Sequence, residues 1–154
     1  METVEATEAD YYTSAVEVTE GEWAGWRTHP GVDAFEDLAG PYYHREDDEG
    51  VVCAFRVAEK NLNGGGAMHG GAFMTFADFS LFVIAHQELA GLHAVTVTFS
   101  SELVGAAFAD QLIEARGEVV KATRSMVFVR GLMTADGEPI MTFSSTLKKR
   151  APRQ

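Results

Sequence analysis

The chain has 154 residues, of which 46% are apolar, and a formal net charge of −11. This length and apolar content fit one globular domain with a hydrophobic core and exclude a globally disordered chain. The acidity argues against nucleic acid as a partner, because phosphate backbones attract basic surfaces. The single cysteine, Cys53, excludes an intramolecular disulfide, and we expect it to be a small buried apolar side chain.

The acidic residues are concentrated at the N-terminal end. Residues 1–50 hold fourteen acids and two bases, a net charge of −12, whereas residues 51–154 hold nine acids and ten bases, a net charge of +1. The opening METVEATEAD has neither the basic start nor the apolar centre of a signal peptide, and the apolar run 72–85 is too short to span a bilayer. We expect a soluble, cytoplasmic protein with no membrane partner and room for a local basic patch.

The first predicted elements are an acidic helical segment and a hairpin. Residues 1–40 are expected to form an acidic N-terminal helical segment that packs on the main domain, residues 41–154. In it, "GVDAFEDLAG" predicts a short helix that ends at Gly40, because Pro41 cannot continue it. "YYHRED" and "GVVCAFRVAEK" then predict two strands around an Asp-Asp-Glu-Gly turn.

A glycine loop at 61–66 precedes the longest predicted element, a helix from about Gly70 to Leu89 that Gly91 closes. Apolar residues occupy every side of this helix, which is typical of a helix buried all round. One curved sheet covers only part of such a helix. We therefore expect a second copy of the chain to cover the rest.

Four strands are predicted after the helix, in "HAVTVTFSSEL", "DQLIEARGEVVKA", "SMVFVRGLMTA" and "EPIMTFSSTLKK". Asp136-Gly137 indicates a hairpin turn between the last two. Alternation of apolar and polar residues is typical of half-buried antiparallel strands. The order of elements predicts an α+β fold, with an antiparallel sheet and one long central helix.

Asp78 is the unusual residue of this helix, because burying a lone carboxylate is costly. An apolar pocket raises the basicity of a carboxylate, which suits a catalytic base or nucleophile. The alternative is a carboxylate that faces solvent on a partly covered helix. That alternative is less favoured, because the residues three and four positions away are mostly apolar.

Gly70 and Gly71 open the helix, where backbone N–H groups have no intrahelical acceptor. They allow close approach of a ligand, and the helix dipole favours an anion or a developing oxyanion there. The alternative is a tight loop-to-helix turn. His69 either caps the helix or takes part in the chemistry, and Asn63 either contacts substrate or is an ordinary turn residue.

The spacing of these residues predicts a shared site. Gly70 and Asp78 are eight residues apart, about 12 Å along a helix axis. A base or nucleophile must come within about 3–4 Å of the reacting carbonyl. Asp78 would therefore serve a carbonyl held by Gly70 of another subunit, in a dimer with antiparallel helices. No two histidines have the i,i+4 spacing of a metal site, so we expect no metal.

The run "NGGGAMHGG" from Asn63 to Gly71, followed by Asp78, resembles the signature of hotdog-fold acyl-CoA thioesterases of the phenylacetic-acid-degradation type. "AGPYYHRED", "FRVAEKNLN" and "VTVTFSSELVGAA" are similar to that family too, so the resemblance covers about residues 35–150. It implies a hotdog fold, in which a curved antiparallel sheet wraps one long central helix. It also implies assembly as a homodimer or homotetramer.

The resemblance implies roles for individual residues. Asp78 would be the nucleophile or general base, and Gly70, with Gly71 beside it, would donate its backbone N–H to the thioester oxygen. His69 and Asn63 would position the carbonyl and the water. Thr96 would lie near the attacking water, although an ordinary strand residue is an equal alternative.

The chain departs from the family where it reads Ala122-Thr123-Arg124, because the family often carries a glycine and two basic residues there. Arg124, aided by Lys121, is the remaining candidate for a contact to a CoA phosphate. The leading prediction is hydrolysis of a small aryl or short- to medium-chain acyl-CoA, with CoA as part of the substrate and no separate cofactor. The alternatives are a non-catalytic acyl-thioester or lipid-binding protein and, ranked lower, a hotdog hydratase.

Overall fold

The computed structural model describes residues 12–89 and 91–150, which form eight strands and three helices. The helices are α1 (Ala34–Ala39), α2 (Gly70–Ile84) and α3 (His86–Leu89), and a 3₁₀ turn spans Glu59–Asn61. The strands are β1 (Val16–Glu17), β2 (Arg27–Thr28), β3 (Tyr43–Asp47), β4 (Gly50–Arg56), β5 (Ala94–Leu103), β6 (Leu112–Ala122), β7 (Met126–Ala135) and β8 (Glu138–Lys149).

The eight strands form one antiparallel sheet in the order β1-β2-β3-β4-β6-β7-β8-β5. At the turn between β7 and β8, Asp136 (φ 47°) and Gly137 (φ 88°) adopt the left-handed conformation that a two-residue hairpin requires, which confirms the predicted turn. β5 ends the sheet. Within the described residues it pairs only with β8, so its second edge is open.

The main core lies between α2 and one face of the sheet. Gly117 of β6 lets the end of α2 pack closely on the sheet, because a Cβ at this position would lie only 2.9 Å from Ile84 Cδ1. Cys53 is fully buried, as predicted, and burial raises the pKa of its thiol to about 12. The largest fully buried side chains are mostly aromatic and branched aliphatic, and they include Phe76, Phe79, Leu81, Ile113, Met133, Met141 and Leu147. The predicted architecture, a long helix wrapped by a curved antiparallel sheet, is confirmed.

The central helix is shorter than the sequence predicts, because α2 ends at Ile84 rather than near Leu89. Ala85 leaves the helical conformation, and its N–H is shared between the carbonyls of Leu81 and Val83. The His86 ring also bonds the Val83 carbonyl, through Nδ1 at 2.9 Å. A histidine that bonds a last-turn carbonyl ends a helix in this way, and α3 then starts afresh.

The N-terminal segment is less helical than predicted. Among the described residues before Pro41, only α1 is an α-helix, and it ends at Gly40 as expected. β1 and β2 extend the sheet instead, and the connection between them uses Gly21 (φ 78°) and Gly25 (φ 85°). The glycines of "GEWAG" are a turn signal between two very short strands. Residues 1–11 lie outside the described part of the chain.

A buried histidine pair joins this segment to the sheet. His29 and His44 are almost fully buried, and their Nε2 atoms lie 2.9 Å apart. One ring must donate and the other accept, so this hydrogen bond needs at least one neutral imidazole. Burial, followed by the charge of His29, lowers the pKa of His44 to about 3.

Among the described helices, none is long and apolar enough to cross a membrane.

Candidate active site

Asp78 lies half-buried on the open side of α2, next to the start of β5. Thr96 Oγ1 of β5 donates a hydrogen bond to Asp78 Oδ1 at 2.6 Å. This distance is typical of an O–H bond to an ionised carboxylate. The structure therefore joins two residues that were predicted to belong to one site.

The surroundings of Asp78 alter its proton affinity. Burial raises the pKa of the Asp78 carboxyl group above its usual value, the Thr96 hydrogen bond lowers it, and the negative charge of Asp33 raises it. The net direction is upward. A carboxylate with a raised pKa is a stronger base, which is the property expected for a catalytic role.

An open groove of about 290 Å³ runs beside the Asp78 carboxylate. This volume is at the lower end of the roughly 300–1,000 Å³ found for small-molecule sites, so the groove has room for a small ligand or for part of a larger one. Two helices line it. Asp78, Met74 and Thr75 come from α2, and Asp33, Phe35 and Glu36 come from the N-cap and first turn of α1.

The two glycines at the start of α2, Gly70 and Gly71, differ in the hydrogen bonding of their N–H groups. His69 is the N-cap, and its Nδ1 accepts a hydrogen bond from the Gly71 N–H at 2.8 Å. Capping is thus the role that the structure gives His69, and the Gly71 N–H already has an acceptor. The Gly70 N–H has none within the described residues, and the space around its Cα is open. Gly70 is the donor of this turn that remains available to a ligand.

Asn63 acts as a turn residue in this structure. Its Oδ1 accepts hydrogen bonds from the N–H groups of Gly65 at 2.8 Å and Ala67 at 3.2 Å. Asn63 is not among the groove-lining residues, so its direct contact with substrate stays a prediction. Asn61 was not predicted as a site residue. It is buried and donates through Nδ2 to the Ala39 carbonyl, and this bond connects the start of the glycine loop to α1.

A basic cluster occupies the end of the sheet near Thr96. Arg124 lies in the β6–β7 hairpin turn, and Lys149 Nζ donates to the Thr123 carbonyl of that turn at 3.1 Å. Thr96 pairs with Leu147, the residue before Lys148. We name this cluster the basic end, and its members are Lys121, Arg124, Lys148, Lys149 and Arg150. Its last three members were not predicted as binding residues, although the "LKKR" run was the available signal.

A larger depression, of about 640 Å³, lies on the outer face of the sheet, opposite α2. Its two arginines already have ion-pair partners, since Arg116 contacts Asp47 and Arg130 contacts Glu118, both at 2.6 Å. Among the described residues that line it, none forms a counterpart of the Asp78–Thr96 pair. Within the described residues, no three His, Cys, Asp or Glu side chains are grouped to hold a metal.

The fold is the hotdog fold, and the chain belongs to the thioesterase superfamily, whose family model matches residues 65–141. The chain is 32% identical over 111 residues to a proposed esterase, PA0474, of Pseudomonas aeruginosa, which covers 71% of this chain and 82% of that protein. These findings confirm the predicted fold and confirm the predicted family at the level of the superfamily.

Two solved structures are similar to this one. A hypothetical thioesterase of Streptococcus pneumoniae TIGR4, solved with coenzyme A, is 26% identical, with a TM-score of 0.63 over 73% of this chain and 91% of that chain. The PaaI protein of the phenylacetic acid degradation operon of E. coli is 20% identical, with a TM-score of 0.68 over 78% of this chain and 86% of that chain. At this identity the PaaI likeness is one of fold.

Proposed function

We propose that the chain is an acyl-CoA thioesterase of the phenylacetic-acid-degradation type. It hydrolyses a small aryl or short- to medium-chain acyl thioester to the free acid and CoA. The observation that carries the proposal is the Asp78–Thr96 hydrogen bond beside an open groove, in a chain of the thioesterase superfamily. CoA takes part as a portion of the substrate, and no further cofactor is needed.

The proposed mechanism uses three groups. Thr96 holds Asp78 Oδ1, which leaves Oδ2 to accept a proton from water or to attack the carbonyl carbon itself. The Gly70 N–H donates to the oxyanion that develops on the thioester oxygen. In the general-base route, the water oxygen attacks the carbonyl carbon, the carbon–sulfur bond breaks, and the CoA thiolate takes up the proton from Asp78 as the carboxylic acid leaves. In the nucleophilic route, Asp78 displaces the CoA thiolate and forms an acyl anhydride, and water then hydrolyses this anhydride to the free acid and restores the Asp78 carboxylate.

A second copy of the chain is part of this proposal. Gly70 and Asp78 both belong to α2, and their eight-residue separation is about 12 Å along the axis. One carbonyl therefore cannot contact both groups of a single subunit. β5, the strand that carries Thr96, has an open edge, and its residues Val97 and Leu103 are half exposed. We propose that two chains pair through β5, which sets their α2 helices antiparallel.

The basic end supports CoA as the carrier. Its five cations contrast with the net charge of −11, and residues 119–134 and 139–150 contain no Asp or Glu. Clustered lysine and arginine side chains attract phosphate groups. The cluster adjoins the strand that carries Thr96, so a bound CoA would have its phosphates at the basic end and its thioester near Asp78. The Streptococcus pneumoniae relative was solved with coenzyme A.

The test is a hydrolysis screen of phenylacetyl-CoA and of short-, medium- and long-chain acyl-CoAs, with the released thiol measured by a thiol-reactive dye. We expect turnover with the aryl and shorter acyl groups and little with long chains, because the groove is small. Binding of these esters with no thiol release from any of them would overturn the proposal. That result would favour a non-catalytic acyl-thioester-binding protein.

A further inference from the structure

α1 forms one wall of the Asp78 groove. Phe35 of this helix is 66% exposed, and Met74 across the groove is 36% exposed, so two apolar side chains face the open space. The wall is held at both of its ends. Asp33 caps the N-terminus by accepting from the N–H groups of Phe35 and Glu36, and Asn61 Nδ2 donates to the Ala39 carbonyl at 2.8 Å.

The same wall carries negative charge. Asp33 and Glu36 line the groove together with Asp78, and among the described residues that line it none is cationic. The Asp33 carboxylate is fixed by two backbone N–H groups, at 2.9 Å and 3.0 Å, so its charge stays at the edge of the groove. This charge also acts across the groove, because it raises the pKa of Asp78 on the opposite wall.

We propose that α1 selects the acyl group: Phe35 and Met74 contact an uncharged apolar acyl chain, and Asp33 and Glu36 exclude acyl groups that end in a carboxylate. This inference rests on the proposed thioesterase function and adds its substrate class. An anionic acyl terminus in the groove would meet like charges on both walls in a partly desolvated space. A methyl or phenyl terminus meets no such repulsion and buries apolar surface on Phe35 and Met74.

The two ends of the substrate would then meet opposite potentials. The CoA phosphates would approach the cationic basic end, whereas the acyl terminus would enter an anionic groove. The charges of Asp33 and Glu36 would therefore discriminate among acyl groups without weakening recognition of the carrier. The discrimination by charge would come from α1, whereas α2 and β5 hold the reacting groups.

The test compares two esters of equal length, pentanoyl-CoA and glutaryl-CoA, which differ in a terminal methyl or carboxylate. We expect the purified enzyme to favour pentanoyl-CoA in kcat/KM. In the double variant Asp33→Asn/Glu36→Gln, the glutaryl-to-pentanoyl ratio of kcat/KM should rise by about tenfold, the size expected for removing two partly screened like charges. A change in the pKa of Asp78 would leave this ratio unaltered, because both esters react with the same carboxylate.

The substitutions are chosen to keep the fold. Asparagine is as good an N-cap as aspartate, so the start of α1 is preserved. The control is Asp37→Asn, which removes a charge from the same helix outside the groove. Asp37 accepts from the Gly31 N–H, a bond that asparagine can retain, and its ratio should equal that of the wild type.

The outcomes separate the two proposals. An unchanged ratio in a folded double variant, or equal hydrolysis of both esters by the wild type, would overturn the selectivity and leave the thioesterase proposal intact. A rise of the same size in Asp37→Asn would also overturn it, because net charge rather than the groove would then be responsible. No hydrolysis of any acyl-CoA would remove the thioesterase proposal and the selectivity with it.

Discussion

Replacing Thr96 with valine should raise the pKa of Asp78, because it removes the hydroxyl that favours the ionised carboxylate. Valine keeps the shape of threonine, so the change is confined to the 2.6 Å bond to Oδ1. A hydrogen bond to a charged group contributes about 1.5–3 kcal/mol, and 1.36 kcal/mol corresponds to about one pKa unit. Because the pair is only half-buried, we use the lower end of this energy range and expect the pKa of Asp78 to rise by about one unit.

The assay is the pH profile of kcat/KM, whose acidic limb reports the pKa of an essential base in the free enzyme. The limb should move to higher pH by about one unit in Thr96→Val. Thr98→Val is the matched control on the same strand, since the Thr98 hydroxyl accepts from the Thr146 N–H and does not contact Asp78. An acidic limb that stays in place in folded Thr96→Val would refute the assigned role of the pair.

Three further predictions concern packing, pH and the carrier. Gly131→Ala should lower the unfolding free energy by about 1–3 kcal/mol in denaturant titrations, because its Cβ would lie 2.4 Å from a ring carbon of Phe143. Gly64→Ala is the control, since the space around Gly64 is open and its unfolding free energy should change little. Equal losses of unfolding free energy in the two variants would contradict the packing. The lowered pKa of His44 means that its neutral form stabilises the fold above about pH 6.5 and that this contribution is lost as pH falls toward about 3. Unfolding free energy should therefore fall by up to about 1.4 kcal/mol per pH unit over that range, and a His44→Gln variant with the wild-type slope would refute this assignment. Arg124→Ala should raise KM for acyl-CoA more than it lowers kcat, and a wild-type enzyme with the same KM for acyl-pantetheine as for acyl-CoA would count against the phosphate contact.

The sequence predicts the fold well where the pattern is long and periodic. β6, β7 and β8 alternate over ten or more residues, and the Asp136-Gly137 turn has a distinctive composition. β1 and β2 have two residues each, too few to show a period. The end of α2 could not be predicted from periodicity either, since the apolar pattern continues and a side-chain bond from His86 interrupts the helix.

The sequence predicts the centre of the candidate site but not its surroundings. Asp78 is recognisable because a carboxylate interrupts an apolar helix, and Thr96 because a family resemblance covers its strand. The anionic wall on α1 and the basic end each combine segments that are distant in sequence, so they exist only once the sheet has formed. Likewise, the difference between Gly70 and Gly71 depends on which N–H the His69 ring accepts from.

Turnover and thermal unfolding of Asp78→Asn, measured side by side, test the central claim most directly. Asparagine keeps the shape of aspartate and removes its charge, so hydrolysis of acyl-CoA should fall by about 10²–10⁴-fold. The pKa of Asp78 is raised in the folded state, so its ionised form costs stability at neutral pH. The Tm should therefore hold or rise. A lower Tm with turnover per folded molecule near that of the wild type would contradict the catalytic role of Asp78.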